Sequence, residues 1–278
     1  MLRQILHRIK NRLFPSPKIV QVPVYVPIFQ NELLKGRTAL ITGGTSGIGL
    51  AIAKAFLNSG ARVIITGRSQ EKIRRAIAEL DSSNANGMEL NNLDVASFDK
   101  KLKDSFSKFG EIDILVNNAG VIKCNTFGDI EQENYDEIMN ANLRGSVFLS
   151  QTIANIWKRE QIQGNILNIC SSSSMRPGNS PYVLSKWGMR SLTLGMAKEL
   201  IQYGIVVNGL APGPTATRMF VGNGEDGINW PKNPSGRLAT EEEIANLAIV
   251  MVSALARMVV GDVLYATGGS AVITVDDL

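Results

Sequence analysis

Tyr182 and Lys186 stand four positions apart in the run Tyr182-Val183-Leu184-Ser185-Lys186, a spacing that places a phenol and an ammonium on one face of a helix. A phenol beside a fixed cation ionises more readily, because the positive charge favours the phenolate. Tyr182 is thereby a candidate proton donor near neutral pH. A Tyr-x-x-x-Lys pair is common on solvated helices, so its weight comes from what lies upstream. There, Thr42-Gly43-Gly44-Thr45-Ser46-Gly47-Ile48-Gly49 joins a β-branched run to a helical stretch. Glycines in a strand–turn–helix unit let the backbone approach a pyrophosphate, and the helix N-terminus offers unpaired N–H donors.

The end of the second strand-like run discriminates between nucleotides. A ribose 2′-hydroxyl is held by an acid at this place, whereas this chain has Thr66-Gly67-Arg68-Ser69, with a guanidinium and no carboxylate. Arg68 suits a 2′-phosphate, so NADP(H) is the preferred cofactor and NAD(H) the secondary one. The single histidine, His7, lies in the N-terminal segment, which excludes a Ser-His-Asp hydrolase. Cys124 and Cys170 have no metal-ligand spacing and no disulfide framework around them, so no metal is expected and a reducing, cytoplasmic setting follows.

These residues need a scaffold, and the pattern supplies one. Strand-like runs at Thr38 to Thr42, Arg62 to Thr66, Met88 to Leu93, Ile112 to Asn117, Asn165 to Cys170, Ile205 to Leu210 and Val263 to Ala266 alternate with helical stretches. The helices are expected over Ile48 to Asn58, Gln70 to Leu80, Phe98 to Phe109, Asn134 to Arg159, Tyr182 to Gln202 and Glu241 to Ala256. Such alternation predicts an α/β Rossmann-type, doubly wound parallel sheet of seven strands with right-handed crossovers. A chain of 278 residues with 44% hydrophobic and 19% charged residues has room for one such domain, assigned here to residues 35–278.

Residues 1–34 read differently. Leu2, Ile5, Leu6, Ile9 and Leu13 recur at helical spacing among Arg3, Arg8, Lys10 and Arg12, Pro15 ends the pattern, and Pro17, Pro23 and Pro27 mark an extended linker. The net charge of +4 traces to this segment, since Glu32 is the first acid, and nucleic-acid binding is not indicated. A basic amphipathic helix over residues 1–14 could lie on an anionic membrane surface, dock on the body or a partner subunit, or serve as a cleaved transit segment. No apolar run reaches the ~18 residues a spanning helix needs.

Taken in order, the glycine-rich turn, Asp94-Val95, Asn117-Asn118-Ala119-Gly120, Asn142-Leu143, Asn168-Ile169-Cys170-Ser171, Tyr182 to Lys186 and Pro212-Gly213 resemble the short-chain dehydrogenase/reductase family, and 3-oxoacyl-[acyl-carrier-protein] reductases within it. The likeness runs from about Gly36 to Ala271 and implies an NADP(H)-preferring carbonyl reductase or alcohol dehydrogenase. It assigns Tyr182 as general acid/base, Lys186 as ribose ligand, Ser171 as carbonyl-orienting donor and Asn142 as holder of a water relay behind Lys186. Hydride delivered to a carbonyl carbon leaves charge on oxygen, which calls for such a proton donor and second hydrogen bond.

The resemblance further implies that Asp94 hydrogen-bonds adenine with Val95 packed beside it, and that Asn118, Ala119 and Gly120 turn the chain next to the cofactor. Pro212 and Gly213 would border the nicotinamide and Thr217 its carboxamide. Met175 on one wall, and Met219, Phe220 and Trp230 in the loop from Met219 to Arg237, would shape the substrate site. Ser171 and Tyr182 are closer in sequence than the family's usual spacing, and Ser172 or Ser173 could take the serine's place. A 3-oxoacyl thioester leads the substrate classes, with a sugar, a steroid or a small ketone as alternatives, and a catalytically silent nucleotide-binding scaffold as the rival. A homodimer or homotetramer is the expected assembly.

Overall fold

The computed structural model describes residues 32–123, 125–217 and 228–273. Residues 1–31, Met219 and Phe220 lie outside the described residues, whereas Leu34 is buried in the core of the domain. Seven parallel strands form one sheet: β1 (Thr38–Ile41), β2 (Arg62–Gly67), β3 (Ala85–Glu89), β4 (Ile114–Asn117), β5 (Asn165–Ile169), β6 (Val206–Pro212) and β7 (Val263–Ala266). Their spatial order is β3-β2-β1-β4-β5-β6-β7. The order reverses between β1 and β4, and a crevice outside the carboxyl ends of the strands is where an open α/β sheet binds its ligand.

Strand residues alternate between two buried faces. Ile41, Val63, Ile65, Val116 and Leu167 pack with α1 (Gly47–Asn58), α2 (Gln70–Leu80) and α7 (Glu241–Val252). Leu40, Ile64, Leu115 and Ile166 pack on the other face with α3 (Phe98–Phe109), α5 (Gly145–Glu160) and α6 (Pro181–Leu200). Continuous apolar strands of this kind are what a sheet covered on both sides requires. At the amino edge of the sheet, Arg37 pairs with Asp113 and donates to Asn165 Oδ1 (2.9 Å), while Thr38 N donates to Asp113 Oδ2 (3.1 Å). Burial raises the Asp113 carboxyl above its ordinary range, against the opposing field of Arg37.

Two elements depart from the pattern-based expectation. The third strand runs Ala85–Glu89 rather than Met88 to Leu93, because its register is set by pairing with β2 from Val63↔Ala85 to Gly67↔Glu89. Asn86 and Gly87 are poor strand formers, but Gly87 leaves the room that Ile73 of α2 occupies. Leu90 N still bonds to Gly67 O (3.0 Å), and the chain then turns, with Asn91 Oδ1 accepting from Leu93 N (3.1 Å). The single helix expected over Asn134 to Arg159 is instead α4 (Gln132–Met139), a π-helical turn at Asn140–Arg144, and α5. Single π turns inside helices frequently mark functional sites. This one carries Asn142.

Candidate active site

The glycine-rich turn crosses from β1 to α1 at the carboxyl edge of the sheet. Gly47 has φ +60, a left-handed conformation that favours glycine, and a Cβ on Gly49 would collide with the Asn118 amide and Gly43 O. Asn118 Nδ2 donates to Thr42 O (3.0 Å) and Gly43 O (3.1 Å), and Thr42 Oγ1 accepts from the backbone N–H of Asn118 and Ala119 (both 3.0 Å). The β4 turn is thereby bolted to the glycine turn. Ser46 occupies the N-cap of α1 without a side-chain cap bond, and the first turn holds no acid. A helix end of this kind suits an anionic ligand.

A cleft of about 590 Å³ opens above this turn, lined at one end by Gly43, Thr45, Ser46, Gly47 and Ile48, with Arg68 beyond them. Lys72 lines the same end. Both cations are exposed, and neither side chain has a hydrogen bond or ion pair with a described residue. Ser69 caps α2 between them, its side chain accepting from Lys72 N. Lys72 was hidden in the sequence as an ordinary charge on a helix surface; its signal was the spacing of four from Arg68.

Asp94 and Val95 do not reach the cleft wall. Asn91, Asn92 and Leu93 form it instead, and Asp94 is exposed at the N-cap of the short 3-10 turn Val95–Ser97. The physical reason is the earlier end of β3, which stops at Glu89 where the apolar pattern suggests Leu93 and so brings the chain to the carboxyl edge sooner. Asn92 is buried, its Nδ2 near Ala141 O (3.4 Å), and Gly145 is needed because a Cβ there would meet Asn92 O at 2.5 Å. Glu137 supplies the only carboxylate among the residues lining the cleft. Lys123, at 2.5 Å, holds its carboxyl below the ordinary range, with a smaller contribution from the Arg68 charge.

At the other end of the cleft stand Ser171, Tyr182, Lys186, Pro212, Gly213 and Thr217. Ser180 caps α6 and Pro181 begins it, which fixes Tyr182 in the first helical turn. Lys186 is buried, donates from Nζ to Ile169 O (2.8 Å) and lies 5.8 Å from the centre of the Tyr182 ring. The tyrosine hydroxyl has no hydrogen bond to a described residue. Ser171 Oγ accepts from Ser173 N (3.1 Å), leaving its proton available to an oxygen in the cleft. Ser172 and Ser173 do not line the cleft, and Ser174 is turned inward, donating to Ser171 O (2.7 Å). Cys170 lines it, but burial pushes its thiol up, so it remains protonated.

Asn142 is buried behind this end rather than in its wall. Its Oδ1 accepts from Val121 N (2.7 Å) and its Nδ2 donates to Val121 O (2.9 Å) and Ser185 Oγ (3.2 Å). Met175 and Trp230 do not line the cleft; Met175 closes a 3-10 turn after Ser171, and Trp230 bonds through its backbone to Gly236 and Asn233. Among the described residues no cluster of His, Cys, Asp or Glu could hold a metal ion, and no helix is long and apolar enough to cross a membrane.

The arrangement suits a dinucleotide: a glycine turn and a helix N-terminus at one end, with two exposed cations beyond them, and a hydroxyl, phenol and ammonium at the other. The short chain dehydrogenase family model matches residues 37–227. The chain belongs to the short-chain dehydrogenase/reductase family. It is 34% identical over 257 residues to gluconate 5-dehydrogenase of Gluconobacter oxydans (strain 621H), covering 86% of this chain and 96% of that protein. It is 33% identical over 243 residues to 3-oxoacyl-[acyl-carrier-protein] reductase of Aquifex aeolicus (strain VF5), covering 85% and 98%. A solved gluconate 5-dehydrogenase from Burkholderia cenocepacia J2315, in complex with NADP and tartrate, matches with TM-score 0.78 and 33% identity over 86% of this chain and 97% of that one. The short-chain dehydrogenase/reductase reading and the seven-stranded Rossmann-type sheet are borne out, and the protein is an oxidoreductase of a family that works with a nicotinamide cofactor.

Proposed function

We propose that this short-chain dehydrogenase/reductase is an NADP(H)-preferring enzyme that interconverts a ketone and a secondary alcohol, with a 3-oxoacyl thioester as the leading substrate class. One observation carries the reading: Ser171, Tyr182 and Lys186 share a single cleft with the glycine turn and with Arg68 and Lys72. A catalytically silent scaffold would have no need of that convergence.

Bound nicotinamide would supply or accept the hydride. Thr45, Ser46 and the start of α1 would hold the pyrophosphate, and Arg68 with Lys72 the 2′-phosphate by charge-assisted bonds. Asn91 and Asn92, rather than Asp94 and Val95, would meet the adenine. Lys186 would bind ribose hydroxyls while its charge acts on the phenol. Ser171 would donate to the substrate oxygen, and Tyr182 would pass its hydroxyl proton to that oxygen as charge develops there. In the oxidative direction the same phenolate would take the proton back.

A second reading, oxidation of a sugar acid or related polyol, is favoured by the likeness to gluconate 5-dehydrogenases in both sequence and structure. The deciding experiment measures initial rates with 3-oxoacyl thioesters, small ketones, steroids and sugar acids against NADPH, NADH and their oxidised forms. Fastest turnover with a 3-oxoacyl thioester and NADPH is expected; fastest turnover with gluconate establishes the second reading. Cofactor binding without turnover on any of these substrates would return the scaffold.

A further inference from the structure

We propose that Ser185 is a positioning residue for the Tyr182 and Lys186 pair, coupling the first turn of α6 to the loop that walls the cleft. The inference rests on the reading of Tyr182 as proton donor. Ser185 is fully buried, and its hydroxyl is used in both senses: it donates to Tyr182 O (2.7 Å) and accepts from Asn142 Nδ2 (3.2 Å). Asn142 is itself locked, because its amide exchanges two hydrogen bonds with the backbone of Val121, and Val121 lines the cleft. A continuous path therefore runs from the cleft wall through the π turn to the carbonyl of the tyrosine.

Helix geometry explains why this path bears on chemistry. At about 100° per residue, Ser185 projects ~60° to one side of Tyr182 and Lys186 ~40° to the other. A fixed bond at Ser185 thus sets the azimuth at which the phenol and ammonium enter the cleft. A second contact sets the spacing of the two elements: Gly188, one turn on, faces Leu143 of the π turn so closely that a Cβ would stand 2.6 Å from Leu143 Cδ2. With Gly188 providing the close approach and Ser185 the directional bond, loss of the serine hydroxyl frees rotation without separating the helices. A displacement of about 1 Å at a reacting group can lower a rate by ~10²-fold.

The test compares wild type, Ser185→Ala, Ser185→Cys and Tyr182→Phe in the full chain, measuring kcat, KM, NADPH Kd, the pH dependence of kcat and the thermal midpoint. The two Ser185 variants are expected to lose roughly 10- to 100-fold in kcat with KM and Kd changed by less than about threefold. The pH midpoint of their kcat profile should move, since the phenol and ammonium no longer hold their mutual placement. If Ser185→Ala does not fold, Ser185→Cys, close to serine in size, carries the same readouts. Wild-type kcat and pH profile in the Ser185 variants, beside an inactive Tyr182→Phe, would overturn this inference and leave the proposed function standing. A fall in kcat with an unmoved pH profile and a lowered thermal midpoint would also overturn it, reducing Ser185 to a packing residue. An active Tyr182→Phe would remove the reading on which it rests.

Discussion

The two ends of the cleft are built on opposite terms. At the reacting end, Ser171, Lys186 and the supporting Asn142 and Ser185 are buried and already hydrogen-bonded to the protein. At the far end, Arg68 and Lys72 are exposed and make no hydrogen bond or ion pair with a described residue, the Arg68 charge acting only at longer range on the Glu137 carboxyl. Preorganised groups in a dry site cost little reorganisation as charge develops, whereas exposed cations gain a partner only when a phosphate arrives. On the proposed function, rate is set at one end and cofactor choice at the other.

The largest effect should come from removing the ammonium. Lys186→Met takes away the proposed ribose ligand and the charge beside the phenol together, so kcat/KM is expected to fall by about 10³-fold or more, accompanied by weaker cofactor binding in a fluorescence titration. Ser171→Ala removes one donor to the developing oxyanion and should lower kcat by roughly 10²-fold with cofactor affinity nearly intact. Activity near wild type in either variant would break the division between the ends.

Arg68→Ala acts on the opposite end. Loss of a charge-assisted contact of about 1.5–3 kcal/mol corresponds to ~10- to 100-fold in affinity, and calorimetry should show this for NADPH but not for NADH. Lys72→Ala should reproduce the selectivity in smaller measure. Equal losses for both cofactors would show that these cations serve the pyrophosphate or the fold rather than the 2′-phosphate.

The difference between the ends also explains what was readable in the chain. The glycine turn, Asn118 and the Tyr182 and Lys186 pair are constrained by backbone conformation and helical spacing, so residue types at fixed intervals announce them. Gly49 illustrates this, since only an absent side chain lets α1 approach Gly43 and Asn118. The wall proposed for the adenine obeys no such rule. It depends on where β3 ends, and β3 is an edge strand whose Asn86 and Gly87 carry little strand preference; pairing with β2 fixes its end at Glu89, so Asn91 and Asn92 line the cleft where the pattern pointed to Asp94 and Val95. The π turn has no signature at its own residues, and the bond Asn142 makes there, to Val121, is long-range.

Two smaller effects sharpen the comparison by perturbing the frame and not the chemistry. Gly49→Ala forces a Cβ against Asn118 and Gly43 and should cost about 1–3 kcal/mol of stability in urea unfolding, with a parallel loss of affinity for both cofactors. The smallest effect lies on α7, where Thr240 and Glu243 form a capping box and Arg237 pairs with Glu243 at 2.6 Å. Arg237 and the Thr240 N–H hold the Glu243 carboxyl down to about 2 from 4.5. A depressed acid stabilises the fold above its unfolded value, so this contribution is complete above pH 4.5 and is lost as pH falls through 2. Glu243→Gln should flatten the acid limb of the thermal midpoint slightly and leave kcat at neutral pH unchanged.

The division of labour is tested most directly by Tyr182→Phe, which removes one hydroxyl from the reacting end and nothing from the reading end. NADPH Kd and single-turnover hydride transfer are measured on the same preparation. The predicted result is a Kd within about twofold of wild type and transfer slowed by roughly 10²- to 10⁴-fold. Transfer at a near wild-type rate, or a loss of cofactor binding equal to the loss of rate, would contradict the account.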